Sequence, residues 1–277
     1  MLKIKIFLLL ALFCISALSS QKAEIVTLTI VVNAPGSPPY LYYDLDSQSY
    51  QGVVVDFFSQ LEKNEVLIAK FVDSNRGRSE KFIIDGKADM MLTSWSWLDT
   101  PEQLIFSEKI STHRSYLYSL SPYEPNFTFQ TIKKMRVCAR EGFIYPGLHS
   151  YFENNQLVRI DSSSQITMAR MLQKGRCDYA IMNDQNAAAI FADQAYCQNT
   201  IYQSPVPNDT VDMLFAMRMG IRPIKTLINQ QIKVFSESGE LNASVRKHSS
   251  NLTFPSSLTC NQPNIDTESQ SHNLGNN

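Results

Sequence analysis

The chemistry this chain can do is mostly the chemistry of holding a small molecule. Its densest functional stretch is Thr93-Ser94-Trp95-Ser96-Trp97, where small hydroxyls able to give short hydrogen bonds alternate with indoles able to stack on or enclose a ligand. A folded core does not require such a run. Arg76 and Arg78 lie a short way upstream, and a guanidinium presents a planar fork of donors matched to carboxylate or phosphate. Arg114 and Arg140 offer the same clamp from other directions, and Tyr40 and Tyr145 add loop aromatics. Catalytic signatures are missing: there is no G-x-S-x-G, H-E-x-x-H, C-x-x-C, glycine-rich phosphate loop or G-x-G-x-x-G. The common hydrolase, metal and nucleotide chemistries therefore lack support, and no cofactor is expected. Of the four histidines, only His113, beside Arg114, is placed near a cleft.

These residues need elements to position them. Ser79 to Ile84 read as a short helix stopped by Gly86, and Asp89 to Leu92 as a buried strand whose carboxyl end delivers Thr93 to Trp97. In an open α/β sheet, ligands lie beyond the carboxyl ends of strands. Residues 25–34 alternate and are β-branched, which predicts a strand broken by the prolines before Tyr40. Phe57, Phe58 and Leu61 have helical spacing, with Asp56 at the capping position, and the strand 66–71 leads to Arg76 and Arg78. Further strands are expected at 135–139, 178–182 and 211–217. Helices are expected at 164–173, from the Asn183-Asp184 corner through Phe191, and over 223–248.

Lys3 and Lys5 precede an apolar run to Leu18 and small residues at 19 and 20, the pattern of a cleaved secretory leader over residues 1–19. That run is too short for a comfortable membrane span, which needs ~20 residues. The formal net charge of −1 argues against nucleic acid or an anionic surface as a partner. Beyond Cys260 the tail 261–277 is too polar to bury anything, and disorder is expected there. Once the leader is gone, Cys138, Cys177, Cys197 and Cys260 remain in an oxidising compartment, and spacing alone does not select among their three full pairings.

Gly86 to Asp89, Thr100-Pro101-Glu102 and Phe106-Ser107 resemble the "G-x-x-D … T-P-E-R … F-S" signature of the family 3 extracellular solute-binding proteins. Pro38-Pro39-Tyr40 is similar to that family's first ligand loop, Gly52 to Asp56 to its "G-f-x-x-D" helix entry, and Gly175 to Ala180 to the second-lobe counterpart of Gly86 to Asp89. Ser238 to Leu241 matches its last helix. The resemblance covers about residues 25–250. It implies an α/β fold of two lobes, periplasmic binding protein-like (type II), each lobe a mixed sheet flanked by helices, joined by two crossing strands. Residues 24–116 would form the first part of lobe 1, 117–210 lobe 2, and 211–258 the rest of lobe 1, with the second crossing over 201–209. It also implies a pairing of Cys197 with Cys260, as in related receptor ligand-binding domains, which the polar settings of both residues favour. The state of Cys138 and Cys177 stays open.

One departure concerns the ligand. Amino-acid binders of the family end the T-P-E-R motif in an arginine for the α-carboxylate, and Gln103 stands there. Their second-lobe aspartate maps onto Asn183, with Asp184 adjacent. An ordinary free amino acid is thus a poor first guess. The expected site is Tyr40, Trp95, Trp97 and Tyr145 around the ligand, Thr93 and Ser94 as hydrogen-bond partners, and Arg78 as main anion anchor, with Arg114, Arg140, Asn183 and Asp184 nearby. The expected protein is a monomeric periplasmic binder, not an enzyme, with no metal, whose partners are a small solute and an ABC-transporter permease or a sensor receptor. An alternative is a dehydratase-like enzyme using Glu141, Asp184 or His113.

Overall fold

The computed structural model describes residues 25–34, 36–249 and 254–260. The expected leader at 1–19 and the polar tail at 261–277 lie outside the described residues. From the amino end the elements are β1 (Val26–Asn33), a hairpin sheet of β2 (Gly36–Ser37), β3 (Leu41–Asp44) and β4 (Ser49–Gln51), α1 (Val53–Lys63), β5 (Leu67–Ser74), α2 (Arg76–Ile84), β6 (Met90–Thr93), β7 (Leu104–Phe106) and β8 (Ser111–Ser119). Then come β9 (Met135–Arg140), α3 (His149–Glu153), β10 (Leu157–Ser162), α4 (Gln165–Gln173), β11 (Tyr179–Asn183) and α5 (Asp184–Ala192). The chain closes with β12 (Ile201–Gln203), β13 (Asp209–Arg218), α6 (Arg222–Glu237), α7 (Glu240–His248) and β14 (Ser257–Leu258).

The strands run in the order β10-β9-β11-β8-β13-β6-β1-β5, with β7 paired to β13 and β12 to β8 and β14. Parallel β1 and β5 match Val26 to Leu67 through Asn33 to Ser74. Alternation along a strand sends neighbours to opposite faces, so Ile30 and Met90 enter one apolar cluster while Val31 and Met91 enter another on the far side of the sheet. These two clusters together make the core of the first half, from Leu28 to Ile110 and from Met213 to Phe235, and a separate core in the second half gathers residues from Leu117 to Ile201 together with Phe254.

Strand β13 belongs to both halves. Asp209 to Met213 pair antiparallel with Ser115 to Ser111 of β8, and Leu214 to Met217 pair with Thr93 to Met90 of β6. The second crossing is therefore β13 itself and not residues 201–209, since β12 pairs within the second half. Both disulfides sit in that half: Cys138 joins Cys177 and Cys197 joins Cys260, with Cα atoms 5.7 and 5.4 Å apart.

The two Gly-x-x-Asp motifs do the same architectural job in each half. Gly86 and Gly175 take φ of 71° and 63° to end α2 and α4. Asp89 then accepts from the Thr29 amide at 2.7 Å and from Arg218, and Asp178 accepts from the Arg136 amide at 2.7 Å and from its guanidinium. Each aspartate thus fastens a helix exit to a neighbouring strand.

Asp56 does not cap α1. The helix begins earlier, after Gly52, because Val53 to Val55 continue its buried face despite their β-branching, and Asp56 lies inside the first turns. Its carboxylate accepts from Ser244 at 2.7 Å, Lys247 at 3.0 Å and His248 at 2.9 Å, pinning α7 onto α1. Burial alone would raise this carboxyl, but those hydrogen bonds outweigh it and hold it below the usual carboxylate range. A lowered folded-state value stabilises the fold above the unfolded carboxyl's range, and that stabilisation is lost as pH falls through the lower folded value. Asp56→Ala, which also strands the buried His248 imidazole, should cost about 1–3 kcal/mol in urea unfolding at neutral pH. The gap to wild type should close in acid, and an equal cost at all pH would contradict the ionic origin.

Candidate functional site

Between the two cores, at the strand ends, lies a cavity of about 110 Å3. Its walls come from both halves: Tyr40, Trp97 and His113 on one side, Arg140, Phe143, Tyr145, Gln165 and Asn183 on the other, and Asp209 from β13. Tyr40 is held by helix entry: the α1 amides of Val53 and Val54 bond to the Pro39 and Tyr40 carbonyls at 2.9 and 3.0 Å. Its ring packs 5.9 Å from the His113 ring, and burial with the nearby Asp184 charge pushes its hydroxyl up to about 12. Trp97 meets His113 edge-on at 5.2 Å. The Arg76 guanidinium donates to the Trp97 carbonyl, and the Glu80 carboxylate accepts from the amides of Asp99 and Thr100 and from the Thr100 hydroxyl. The T-P-E motif is thereby anchored to α2, and Trp97 is positioned.

Arg140 ends β9 and is 7% exposed. Its guanidinium lies 4.3 Å from the Phe143 ring centre and makes no ion pair with any carboxylate among the described residues. Burial lowers its proton affinity, against the opposing influence of Tyr145. The backbone there is fixed by the Tyr145 hydroxyl, which accepts from the Arg140 amide at 3.0 Å, and by Arg159, which donates to the Arg140 carbonyl at 2.9 Å. Asn183 caps α5, its Oδ1 accepting from the Asn186 amide at 2.7 Å. Its Nδ2, with His113 Nδ1 and Gln165 Oε1, has no partner among the described residues. Native interiors seldom leave such groups unpaired.

Several expected residues lie elsewhere. Arg78 is exposed and does not line the cavity, because α2 starts at Arg76 and two residues of helix turn Arg78 to the outer face. Arg76 is the inward arginine of the two, and it is occupied by Trp97. Trp95 is 61% exposed, since the tight turn Trp95–Trp97 rotates it away from Trp97. Thr93 and Ser94 are buried in the backbone behind the wall: Thr93 faces Leu214 across β13, and the Ser94 hydroxyl is 3.1 Å from that of Ser96. Arg114 is exposed, and neither it nor Asp184 lines the cavity. Glu141 is exposed as well.

Asp209 is the acidic group that sequence reading missed, hidden in a segment read as connection. Burial raises its carboxyl to about 6 against hydrogen bonds from the Gly147 amide at 2.7 Å and the Asn208 side chain at 2.9 Å. Burial also drives His113 down to about 4, so its ring is neutral at neutral pH. Between pH ~4 and about 6 the folded chain keeps an Asp209 proton that the unfolded chain releases, so stability should fall as pH rises across that window. Asp209→Asn should flatten this slope by up to one proton, measured by urea melts at stepped pH, and an unchanged slope would contradict the assignment.

No protein-family model matches the chain, and no curated protein matches it. Solved structures do. An L-arginine-bound amino acid ABC transporter substrate-binding protein from Streptococcus pneumoniae superposes with TM-score 0.64 at 15% identity, covering 80% of this chain and 93% of that one. An ancestral amino acid-binding protein, precursor of cyclohexadienyl dehydratase, gives 0.62 at 16%, covering 80% and 94%. A histidine kinase sensor domain with similarity to periplasmic binding proteins gives 0.64 at 15%, covering 81% and 95%. With two cores, a strand shared between them and a cavity at the seam, this chain has the two-lobe type II periplasmic binding protein fold.

Proposed function

We propose that this chain is a periplasmic solute-binding protein whose lobes, divided near residues 117 and 211, close on a small polar, anion-bearing solute and present it as a monomer to the permease of an ABC transporter. The observation that carries this is Arg140: a buried guanidinium without a carboxylate partner, on the wall of a cavity between the lobes. Charges leave water at high cost unless paired, so an arrangement of this kind is completed by an anion. Trp97, Tyr40 and Tyr145 supply apolar walls, and Asn183, Gln165 and Asp209 supply the few convergent polar groups that orient a ligand. Two similar structures are substrate-binding proteins of amino acid ABC transporters, and one of them holds L-arginine. The Gln103 departure is consistent with an anchor moved from the first lobe to the second.

Asp209 supports a second reading, an enzyme on the same scaffold, because a cleft carboxyl titrating near neutrality suits general acid–base work. A thermal-shift screen of carboxylates, amino acids, polyamines and sugars separates the possibilities. A ligand at 100 times its dissociation constant stabilises by ~2.7 kcal/mol. Carboxylates should stabilise, and product analysis of each stabilising compound should show it unchanged. Stabilisation by polyamines alone overturns the anion reading; turnover abolished by Asp209→Asn establishes the enzyme.

A further inference from the structure

Arg140 faces more than the cavity. A second hollow, an outer recess of about 270 Å3, shares Gly36, Arg140 and Gln165 with it as a common wall. The rest of the recess is largely apolar, with Pro38 and Tyr43 from the β2–β4 hairpin side and Ile166, Ala189 and Ile190 from α4 and α5. Tyr43 and Ile166 are 40% and 42% exposed at its rim. Arg140 is the one charged side chain on that wall, and no aspartate or glutamate lines the recess. At the boundary, the Asn186 amide of one lobe donates to the Ser37 hydroxyl of the other at 2.7 Å.

These features restrict what a ligand can be. Its anion belongs at the junction, on Arg140. The part entering the recess must be uncharged and apolar, because an ammonium there finds no carboxylate. Gln165 Oε1, on the shared wall, is an acceptor without a partner among the described residues, so the group passing from one hollow to the other is best a neutral N–H donor. The other end meets Trp97, Tyr40, Phe143 and Tyr145, walls suited to a flat or apolar side group. We propose that the solute is an N-acylated amino acid: carboxylate on Arg140, amide N–H at Gln165, side group in the inner cavity and acyl chain in the outer recess. This rests on the anion reading of Arg140 given above.

The test is calorimetry of the full mature chain with N-acetyl-, N-butanoyl- and N-hexanoyl-L-phenylalanine, with phenylalanine as the unacylated reference. Each methylene buried in the recess should tighten binding about threefold to fourfold. Ala189→Trp, at an exposed position on α5, fills the recess and should abolish the gain with chain length. Ile166→Gln, which adds no bulk, should reduce the gain and serves if the tryptophan variant does not fold. A dissociation constant independent of acyl length, the same gain in wild type and both variants, or binding of simple carboxylates with no binding of any acylated member overturns the inference. Each of those results leaves the anion reading standing, because simple carboxylates would still depend on Arg140. Failure of every carboxylate to bind removes both.

Discussion

Replacing Arg140 by alanine should weaken the solute by at least thirtyfold and leave the unliganded protein as stable as wild type or more so. Losing one partner of a desolvated charge pair typically costs ~2–5 kcal/mol, and ~1.4 kcal/mol is tenfold in affinity. The two halves of the expectation have one cause. In the free protein the guanidinium is buried over Phe143 without a carboxylate partner among the described residues, so removing it relieves a desolvation penalty. In the proposed complex it meets the anion. Arg140→Lys should also bind poorly, since an ammonium cannot reproduce the guanidinium fork. Arg78→Ala should bind as wild type does. Calorimetry paired with thermal melts reads all three, and an Arg140→Ala protein that binds normally would return attention to the exposed Arg114.

Gly52→Ala should cost about 3 kcal/mol or more, a large part of the ~5–15 kcal/mol that holds a typical domain together. Gly52 precedes α1 with φ 121° and ψ 176°, a region reserved almost wholly to glycine and costing ~1–3 kcal/mol for another residue. A Cβ there would also run into the Tyr40 carbonyl, which is backbone and already committed to the Val54 amide. Relief requires moving the Tyr40 loop, so surviving folded protein should bind its solute weakly. Urea unfolding within ~0.5 kcal/mol of wild type would show that the loop gives way easily, at the level of an ordinary surface substitution.

The motifs that proved legible are those whose work is local. Gly86 and Gly175 end helices, Asp89 and Asp178 bond to strand amides, and Gly52 opens α1, all within short stretches of chain. Choosing the arginine was harder because it depends on where a helix begins. An α2 beginning at Arg76 makes Arg76 the inward residue and Arg78 the outward one, and a start shifted by one or two residues would turn both to other faces. Trp95 and Trp97 posed the same problem on a tighter turn. Asp209 was illegible for another reason. Its side chain is set by the register of β13 on β8 and by the Gly147 amide, sixty-two residues away in sequence. The one local signal, an acid opening an apolar alternating strand, is shared with many surface positions.

The unequal setting of the two tryptophans makes the protein its own optical probe. Trp95, 61% exposed, emits as a solvated indole whatever the cleft holds. Trp97 borders the cavity beside His113, where a solute changes its surroundings directly. Wild-type emission is therefore a fixed signal plus a responsive one, and Trp95→Phe leaves a single reporter in the seam. Stopped-flow traces of that variant would time the response of the seam to an added solute without dye or label.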